Sequence, residues 1–428
     1  MASSYWRDVI WQASGNSLAQ AVGVLGIPIM TRLYTPQDFA IQSLFIQLVT
    51  LSTAIVTWRY EYFVQLPRAR GNVRALNGLI AILGVLSIVV LSPIFWLVRE
   101  PLAHLMGTTA LASWLVFVPI TAVLISWALA TQSNAQRFGD FKTSGLSELA
   151  GKITYVVAGI SGGVAHLGAS SLIATTALGA IGKAAFIAIK RPAWGRYVLC
   201  SRFSRVRQVS AQYLILANST VLAHLLSSLA IATPQIAIAR LYGEIVLGQF
   251  ALVLATIYLP SSLLGAAIGH VYYQRAAQLH SQGKSFFELW RATAYKLALI
   301  GLPIYAVISL VSSVAYPIVF GAQWELAGNL AMWMSLAAYG SFVSGPMDRT
   351  CLIVNAGFYS IVWGVFRLLS TFFVIALAYY FHFTPMQFTA ALVLQMCTAY
   401  SIDFMMGLRF SQGHLGAFGS NTAVSTVK

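Results

Sequence analysis

Long, unbroken apolar runs dominate this chain and constrain its fold more than any other feature. Residues 76–98 and 297–320 are two such runs, each long enough for the roughly 20 residues that cross a bilayer as a helix. Only 9% of the 428 residues are charged, whereas a soluble domain carries about 25%. A membrane β-barrel would instead show alternating segments of about ten residues. The sequence therefore predicts an all-α membrane protein.

About twelve transmembrane helices fit the sequence with short connections. Their approximate bounds are 9–33, 38–63, 76–98, 111–135, 145–164, 168–189, 210–239, 245–271, 294–319, 325–347, 355–380 and 385–408. The longest predicted outer loop, residues 99–110, is too short to hold a catalytic domain. The first run lacks a signal-peptide cleavage pattern, so we expect a retained span.

The net charge of +15 raises the question of a nucleic-acid partner. With the N-terminus placed in the cytoplasm, however, twenty Lys and Arg residues fall on the cytoplasmic side and only Arg32, Arg99 and Arg240 on the other. This bias follows the positive-inside rule and predicts that both termini are cytoplasmic. Topology accounts for the basic charge, and no nucleic-acid partner is predicted.

An internal repeat relates the two halves of the chain. A shift of 208 residues superposes the triplet Arg32-Leu33-Tyr34 on Arg240-Leu241-Tyr242. The same shift places one polar stripe, Gln12, Asn16 and Gln20, on another, Thr220, His224 and Ser228. Both copies begin on the cytoplasmic side, which predicts two six-helix lobes related by a pseudo-two-fold axis along the membrane normal.

The repeat suggests four segments. They are an N-lobe (1–190), a basic linker (191–209), a C-lobe (210–409) and a cytoplasmic tail (410–428) that we expect to be disordered. The linker mixes arginines with apolar residues, which suits a helix at the cytoplasmic interface attracted to anionic lipid. A merely solvated linker is the alternative.

Five ionisable residues lie deep within the predicted spans: Glu148, Lys152, Lys183, Arg367 and Asp403. Each costs at least about 2.5–3.5 kcal/mol at the bilayer centre, so it should face a cavity or a partner. Glu148 and Lys152 are spaced for an intrahelical ion pair, which competes with a substrate role. Lys183 lies among small residues, where close packing is the alternative.

Arg367 has no acid in its own helix. It should face a lumen or find Asp403 or Asp348 on a neighbour. Arg59 and Glu61 end the second span two residues apart, so on a helix each would need its own partner. Arg59 could snorkel to the interface or bind a phosphate with its guanidinium fork.

Amide side chains offer a second kind of lining. The stripe Gln12, Asn16 and Gln20 shares one helix face, and Gln42 on the second span could join it. Amides suit sugar hydroxyls, but they also hold helices together by hydrogen bonds. Both interpretations stay open from sequence.

Motifs for chemistry are missing from the chain. No GxxxxGK[ST] or HExxH pattern occurs, the seven histidines are scattered, and the three cysteines form no metal or redox spacing. We therefore expect no cofactor and no substrate conversion, and interpret the protein as a transporter.

The first seventy residues resemble a known family. Ser14-Gly15-Asn16-Ser17-Leu18-Ala19-Gln20, Thr31-Arg32-Leu33-Tyr34-Thr35-Pro36-Gln37-Asp38-Phe39 and Arg59-Tyr60-Glu61 are similar to the polysaccharide biosynthesis branch of the multidrug/oligosaccharidyl-lipid/polysaccharide (MOP) exporter superfamily. Wzx-type O-antigen and exopolysaccharide flippases belong to this branch. Ala40 stands where that branch usually has Gly, and Gly248 keeps the glycine in the second copy.

The resemblance implies a V-shaped protein of the bacterial inner membrane that flips an undecaprenyl-pyrophosphate-linked oligosaccharide by alternating access. Membrane lipids, a polysaccharide polymerase and a chain-length regulator would be its partners. The candidate cavity residues are Arg59, Arg367, Asn16, Gln20, Arg32, Lys152, Lys183, Gln42 and Gln12, and the candidate gating or ion-pair residues are Glu61, Glu148, Arg240, Asp348 and Asp403.

Three rival interpretations remain. A drug exporter of the same superfamily should favour an acidic cavity, but deep acids are few here. A lipid II flippase usually carries two further helices, for which 428 residues leave little room. A membrane glycan polymerase or ligase would need a large outer loop with catalytic side chains.

Overall fold

The computed structural model describes residues 2–191, 203–348, 350–354, 356 and 358–413, and every regular element within these ranges is a helix. For residues 2–10, 266, 267 and 270 the backbone alone is described. The chain divides into two compact units, Met1–Ala251 and Leu252–Lys428. The helical prediction is confirmed.

The first unit contains seven helices and most of an eighth, among its described residues. They are α1 (Ala2–Leu33), α2 (Pro36–Val56), α3 (Arg70–Leu97), α4 (Arg99–Met106), α5 (Phe117–Arg137), α6 (Phe141–Val164), α7 (Ala169–Lys190) and α8 (Phe203–Ile257), with 3₁₀ turns at Tyr60–Phe63 and Thr109–Trp114. α1 packs along α6, α6 packs along α7, and α5 contacts α2, α3 and α7. This bundle holds the candidate site.

The second unit starts near the end of α8. It contains a π-turn (Ser261–Gly265), α9 (Ala266–Ser281), α10 (Phe287–Phe320), α11 (Glu325–Ser344), the short α12 (Thr350–Ile353), α13 (Phe358–Tyr380) and α14 (Pro385–Ser411), with 3₁₀ turns at Ala322–Trp324 and Gly345–Met347. α10 packs along α11, and α14 contacts both α11 and α13.

Seven helices of the described chain are long and apolar enough to cross a membrane. They are Pro36–Val56, Arg70–Leu97, Ala169–Lys190, Phe203–Gly265, Phe287–Phe320, Phe358–Tyr380 and Pro385–Ser411. Phe203–Gly265 has 63 residues, about three times what one crossing needs. The chain is therefore a multi-span membrane protein, while the count of twelve spans stays a prediction.

The predicted seventh span and the start of the eighth lie in α8, which consists of two helices joined at a kink. Its backbone leaves helical geometry at Gly243, where φ is 85° and ψ is 176°. Glycine adopts positive φ without the Cβ clash that other residues suffer. The break lies between the predicted spans 210–239 and 245–271, so the sequence located this junction.

Local sequence signals fix two helix starts. Thr35 accepts a hydrogen bond from the Asp38 N–H, while the Asp38 carboxylate accepts one from the Thr35 N–H, and Pro36 occupies the first turn. Thr384 and Gln387 form the same capping box at the start of α14. Each box satisfies two backbone donors that a helix start leaves unpaired.

Glycines bring α1 and α6 into direct backbone contact. A Cβ at Gly15 would overlap the backbone of Gly145, and one at Gly26 would overlap Val156. Small residues at such crossings let membrane helices approach closely, because packing rather than hydrophobicity drives their association. The close approach of α1 fixes one wall of the site described next.

Two predicted segments lie largely outside the described ranges. Residues 192–202 of the proposed linker and 414–428 of the proposed tail are not described. The boundary between the predicted lobes therefore stays a prediction.

Candidate functional site

A cavity of about 370 Å³ lies within the first unit. Its lining comes from α1, α2, α5, α6 and α7, and its polar members are Gln20, Glu148, Lys152, Tyr155, Thr176 and Lys183. The rest of the lining is apolar or small. Such a mixture of an apolar wall with a few polar groups is typical of a ligand site.

The charged groups of the cavity combine one ion pair with one further lysine. The Lys183 Nζ lies 2.7 Å from the Glu148 Oε1, and the Gln132 amide donates to the same oxygen at 2.8 Å. The Lys152 Nζ lies over the Tyr155 ring, 4.8 Å from its centroid. Two ammonium groups against one carboxylate leave the cavity with an excess of positive charge.

The predicted pair between Glu148 and Lys152 is therefore corrected, since Glu148 pairs with Lys183 of α7. Gly151 and Gly179 bring α6 and α7 close enough for this, because a Cβ on Gly151 would lie 2.9 Å from the Gly179 carbonyl oxygen. Spacing along one helix could not show that a lysine from the next helix would compete. Lys183 thus has an acid partner, which the sequence did not predict.

The amide stripe on α1 is only partly in the cavity. Gln20 lines it, whereas the Gln12 amide donates to the Asn16 Oδ1 at 3.2 Å. Gln42 is buried and donates to the Tyr155 hydroxyl at 3.0 Å and the Leu172 carbonyl at 2.9 Å. Gln42 therefore joins α2 to α6 and α7, as the alternative of hydrogen bonding between helices anticipated.

A buried arginine lies in the turn that follows α2. The predicted second span continued to residue 63, but α2 ends at Val56, and Trp58 and Arg59 have positive φ values of 52° and 60°. Arg59 is 7% exposed and Glu61 is 1% exposed. Burial of both charges requires that each be paired.

Arg59 and Glu61 pair with each other, which corrects a second prediction. The Arg59 Nη1 lies 3.5 Å from the Glu61 Oε1, and the Thr57 hydroxyl donates to the other carboxylate oxygen at 2.6 Å. Side chains two residues apart diverge on a helix, but this turn is not α-helical. The aromatic residues around it extend the apolar run, so hydropathy could not reveal the helix end.

A histidine that the sequence left unassigned completes this cluster. The Arg59 Nη2 lies 3.1 Å from the His224 Nδ1 and donates to the Tyr62 hydroxyl at 3.0 Å. His224 belongs to α8, so the contact joins the turn after α2 to α8. The polar stripe Thr220, His224 and Ser228 was the signal that could have singled it out.

Among the described residues of the second unit, no ion pair joins Arg367 to Asp403 or to Asp348. Asp403 accepts a hydrogen bond from the Tyr359 hydroxyl at 2.9 Å. Within the described residues, half-buried Arg367 has no carboxylate in ion-pair range, neither Asp403 nor the exposed Asp348. A cavity role for Arg367 stays a prediction.

Arg32 and Arg240, the two equivalents in the repeat, are both exposed. Arg240 donates to the Leu105 carbonyl at 3.4 Å. Neither lines the cavity of the first unit.

With this geometry in place, residues 29–329 match a family described as "Polysaccharide biosynthesis protein". The match spans well over half of the 428 residues. The chain belongs to the polysaccharide biosynthesis protein family. A comparison with curated proteins gave no match.

Solved structures reveal which fold this polysaccharide biosynthesis protein has. The lipid II flippase MurJ in an inward closed conformation matches with a TM-score of 0.67 and 13% identity, over 96% of this chain and 87% of that one. An outward-facing MATE multidrug transporter of the MOP superfamily matches with a TM-score of 0.57 and 14% identity, over 96% of both chains.

A MOP superfamily transporter from Pyrococcus furiosus, described as having a binding pocket of reverse polarity, matches with a TM-score of 0.57 and 15% identity, again over 96% of both chains. The protein thus has the fold of MOP superfamily transporters. The predicted resemblance and fold class are confirmed.

Proposed function

We propose that this polysaccharide biosynthesis protein is a flippase for an undecaprenyl-pyrophosphate-linked oligosaccharide. It would move the headgroup from the cytoplasmic to the periplasmic leaflet of the bacterial inner membrane by alternating access, in the synthesis of a surface glycan such as O-antigen or exopolysaccharide. The polyprenyl tail would stay in the lipid.

The observation that carries this proposal is the excess positive charge in the cavity of the first unit. A pyrophosphate loses much hydration when it leaves water, and fixed cations offset part of that cost. Lys152 has no carboxylate in contact among the described residues, so its ammonium is available to an anion. Gln20 and Thr176 add donors and acceptors for sugar hydroxyls.

The size of the cavity agrees with a headgroup as cargo. At about 370 Å³ it lies near the lower end of the range of roughly 300–1,000 Å³ for ligand pockets. It therefore suits part of a headgroup rather than a whole lipid-linked glycan. A cationic drug would meet two ammonium groups there, which disfavours the exporter alternative.

The short connections favour transport over polymerisation. Between the long helices α3 and α5 lie residues 98–116, and they contain only the short α4 and a 3₁₀ turn. No folded catalytic domain fits in such an interval. Because the sequence contains no P-loop, we infer that an ion gradient or the membrane potential drives the cycle, at about 2.3 kcal/mol per unit charge per 100 mV.

Reconstitution tests the proposal directly. Purified protein in proteoliposomes should expose an undecaprenyl-pyrophosphate-linked oligosaccharide to an external glycosidase faster than protein-free vesicles do. Lys152→Met should slow this exposure about tenfold, which corresponds to about 1.4 kcal/mol of lost interaction.

Lys142→Met is the matched control. Lys142 lies on the same helix, is exposed, and contacts the Trp11 ring at 4.7 Å outside the cavity. The Lys142→Met variant should expose the lipid-linked oligosaccharide at the same rate as the unmodified protein. Equal slowing by both substitutions would remove the cavity from the mechanism, and no exposure above protein-free vesicles would refute the proposed cargo.

A further inference from the structure

The contacts of His224 define its protonation state. A guanidinium only donates hydrogen bonds, so the Nδ1 atom that lies 3.1 Å from the Arg59 Nη2 must accept. The Nε2 atom lies 3.1 Å from the Thr50 carbonyl oxygen, which only accepts, so Nε2 must carry the proton. The network therefore assigns a neutral imidazole with its hydrogen on Nε2.

A second proton on this ring would break the contact with Arg59. It would bind at Nδ1 and turn an acceptor into a donor, so two N–H groups and two positive charges would face each other. Arg59 has other partners in its own segment, namely Glu61 at 3.5 Å and the Tyr62 hydroxyl at 3.0 Å. The guanidinium can therefore stay with the turn after α2 while α8 loses this one contact and keeps the hydrogen bond from the Trp58 indole to Asn218 at 2.8 Å.

Two charged groups of the described chain, of opposite sign, lie near His224. Among the described residues, the charged groups that face it from the turn after α2 are Arg59, in contact, and Glu61, paired with Arg59. From α2 it meets Thr50 and Thr53, and from its own helix Ser228, all uncharged. One cation and one anion leave the cluster neutral before protonation, and the ring is half-buried.

We propose that His224 is a proton-binding site, and that its protonation breaks the contact between α8 and Arg59 in the turn that follows α2. The site itself is supported by the contact geometry. Its part in the transport cycle, where proton binding would couple the gradient to movement of α8, rests on the proposed function. Imidazole is the side chain that ordinarily changes charge between about pH 5 and 8.

Distance measurements between spin labels test whether α8 shifts when this contact is lost, without any cargo. Leu66, just after the turn, and Ile215, on α8, are 53% and 84% exposed, so both accept labels as cysteine variants once Cys200, Cys351 and Cys397 are replaced. In nanodiscs we expect one distance population at about pH 8 and a second, longer one at about pH 5.

His224→Gln is the matched control, because the amide oxygen can accept from Arg59 but cannot bind a proton in this range. It should keep the single population at both pH values. An unchanged distribution in the unmodified chain, or the same shift in His224→Gln, would overturn the proposal.

Nitrogen NMR of histidine-labelled protein reads the proton itself, with His224→Gln identifying the signal. We expect the Nε2–H tautomer at about pH 8 and both nitrogens protonated at about pH 5. A ring that stays neutral at the lower pH would overturn the proposal.

Coupling is tested separately in the translocation assay. His224→Gln should lose the response of the translocation rate to an imposed pH gradient, while Lys142→Met keeps it. If the spectroscopic signals change as expected but the variant keeps its gradient response, the coupling role is refuted. Absence of translocation by the unmodified protein would instead refute the proposed cargo.

Discussion

The lysine cavity and the arginine turn, both in the first unit, hold buried charge in different ways. In the turn, Arg59 and Glu61 lie two residues apart and are almost completely buried. In the cavity, Lys183 of α7 pairs with Glu148 of α6, and Lys152 has no acid in contact among the described residues. The turn neutralises its charge within one segment, whereas the cavity leaves one cation available to a ligand.

This difference separates structural charge from binding charge. Removing one partner of a buried ion pair leaves an uncompensated charge, which is strongly destabilising. A cation without a partner acid leaves no uncompensated charge behind when it is removed, so its removal should alter ligand binding more than folding. Substitutions in the turn should therefore lower the stability of the fold, whereas substitution of the available cation in the cavity should lower activity.

The largest expected effect is in the turn. Arg59→Met leaves the Glu61 carboxylate buried without its cation, and we expect the free energy of unfolding to fall by about 3–5 kcal/mol. Denaturant unfolding in detergent measures it. Adding Glu61→Gln to the same chain should restore most of the loss, because no charge then remains to be paired. A loss below about 1 kcal/mol in the single variant would contradict the view of the turn as a buried pair.

The wall of the cavity gives the next largest effect. Gly15→Ala places a methyl group against the backbone of Gly145, so α1 must move away from α6. Overpacking of this kind costs about 1–3 kcal/mol, and thermal unfolding measures it.

Gly345→Ala is the matched control, since a Cβ there meets nothing within 4 Å and the backbone is helical, with φ −55°. It should be neutral or slightly stabilising. Equal losses from the two substitutions would show that the close crossing of α1 and α6 does not support the cavity.

The two lysines of the cavity should themselves differ. Lys183→Met removes the partner of Glu148, which is 34% exposed, so we expect a moderate loss of about 1 kcal/mol in unfolding free energy. Lys152→Met should stay within about 0.5 kcal/mol of the unmodified chain. Denaturant unfolding of both variants measures the difference. A larger loss for Lys152→Met would make Lys152 a structural cation and weaken the binding role proposed for it.

Sequence predicted the helices better than their contacts. Apolar runs located most helices, because hydropathy acts over one segment. The end of α2 was missed because Trp58, Tyr60 and Tyr62 continue an apolar run through a turn of positive φ. Hydropathy measures side chains and contains no information on φ.

The sequence predicted which charged residues belong to the site, but it did not predict which of them pair with each other. Intramembrane charge singled out Glu148, Lys152 and Lys183, and all three line one cavity. Which lysine pairs with Glu148 depends on how α6 and α7 cross, which one sequence does not reveal. His224 was found only as part of a repeated polar stripe, since its role depends on Arg59 far away in the chain.

The smallest expected effect concerns an ion pair near the surface, between Asp140 before α6 and Arg191 after α7, at 2.7 Å. Burial of the carboxyl opposes ionisation, but hydrogen bonds from the Thr143 N–H and from Arg191 outweigh it and hold the pKa of Asp140 below its usual value. A lowered folded-state pKa stabilises the fold above the unfolded value of about 3.9, and this contribution is lost as pH falls through the folded pKa.

Arg191→Gln should therefore lower the unfolding free energy by about 0.2–1 kcal/mol at neutral pH, and the difference from the unmodified chain should shrink in acid. Denaturant unfolding at several pH values measures this, with Arg191→Lys as the charge-conserving control. Since Arg191 is 53% exposed, added salt should reduce the difference further by screening. A difference that persists in acid and high salt would place this pair with the buried arginine turn rather than with solvated charges.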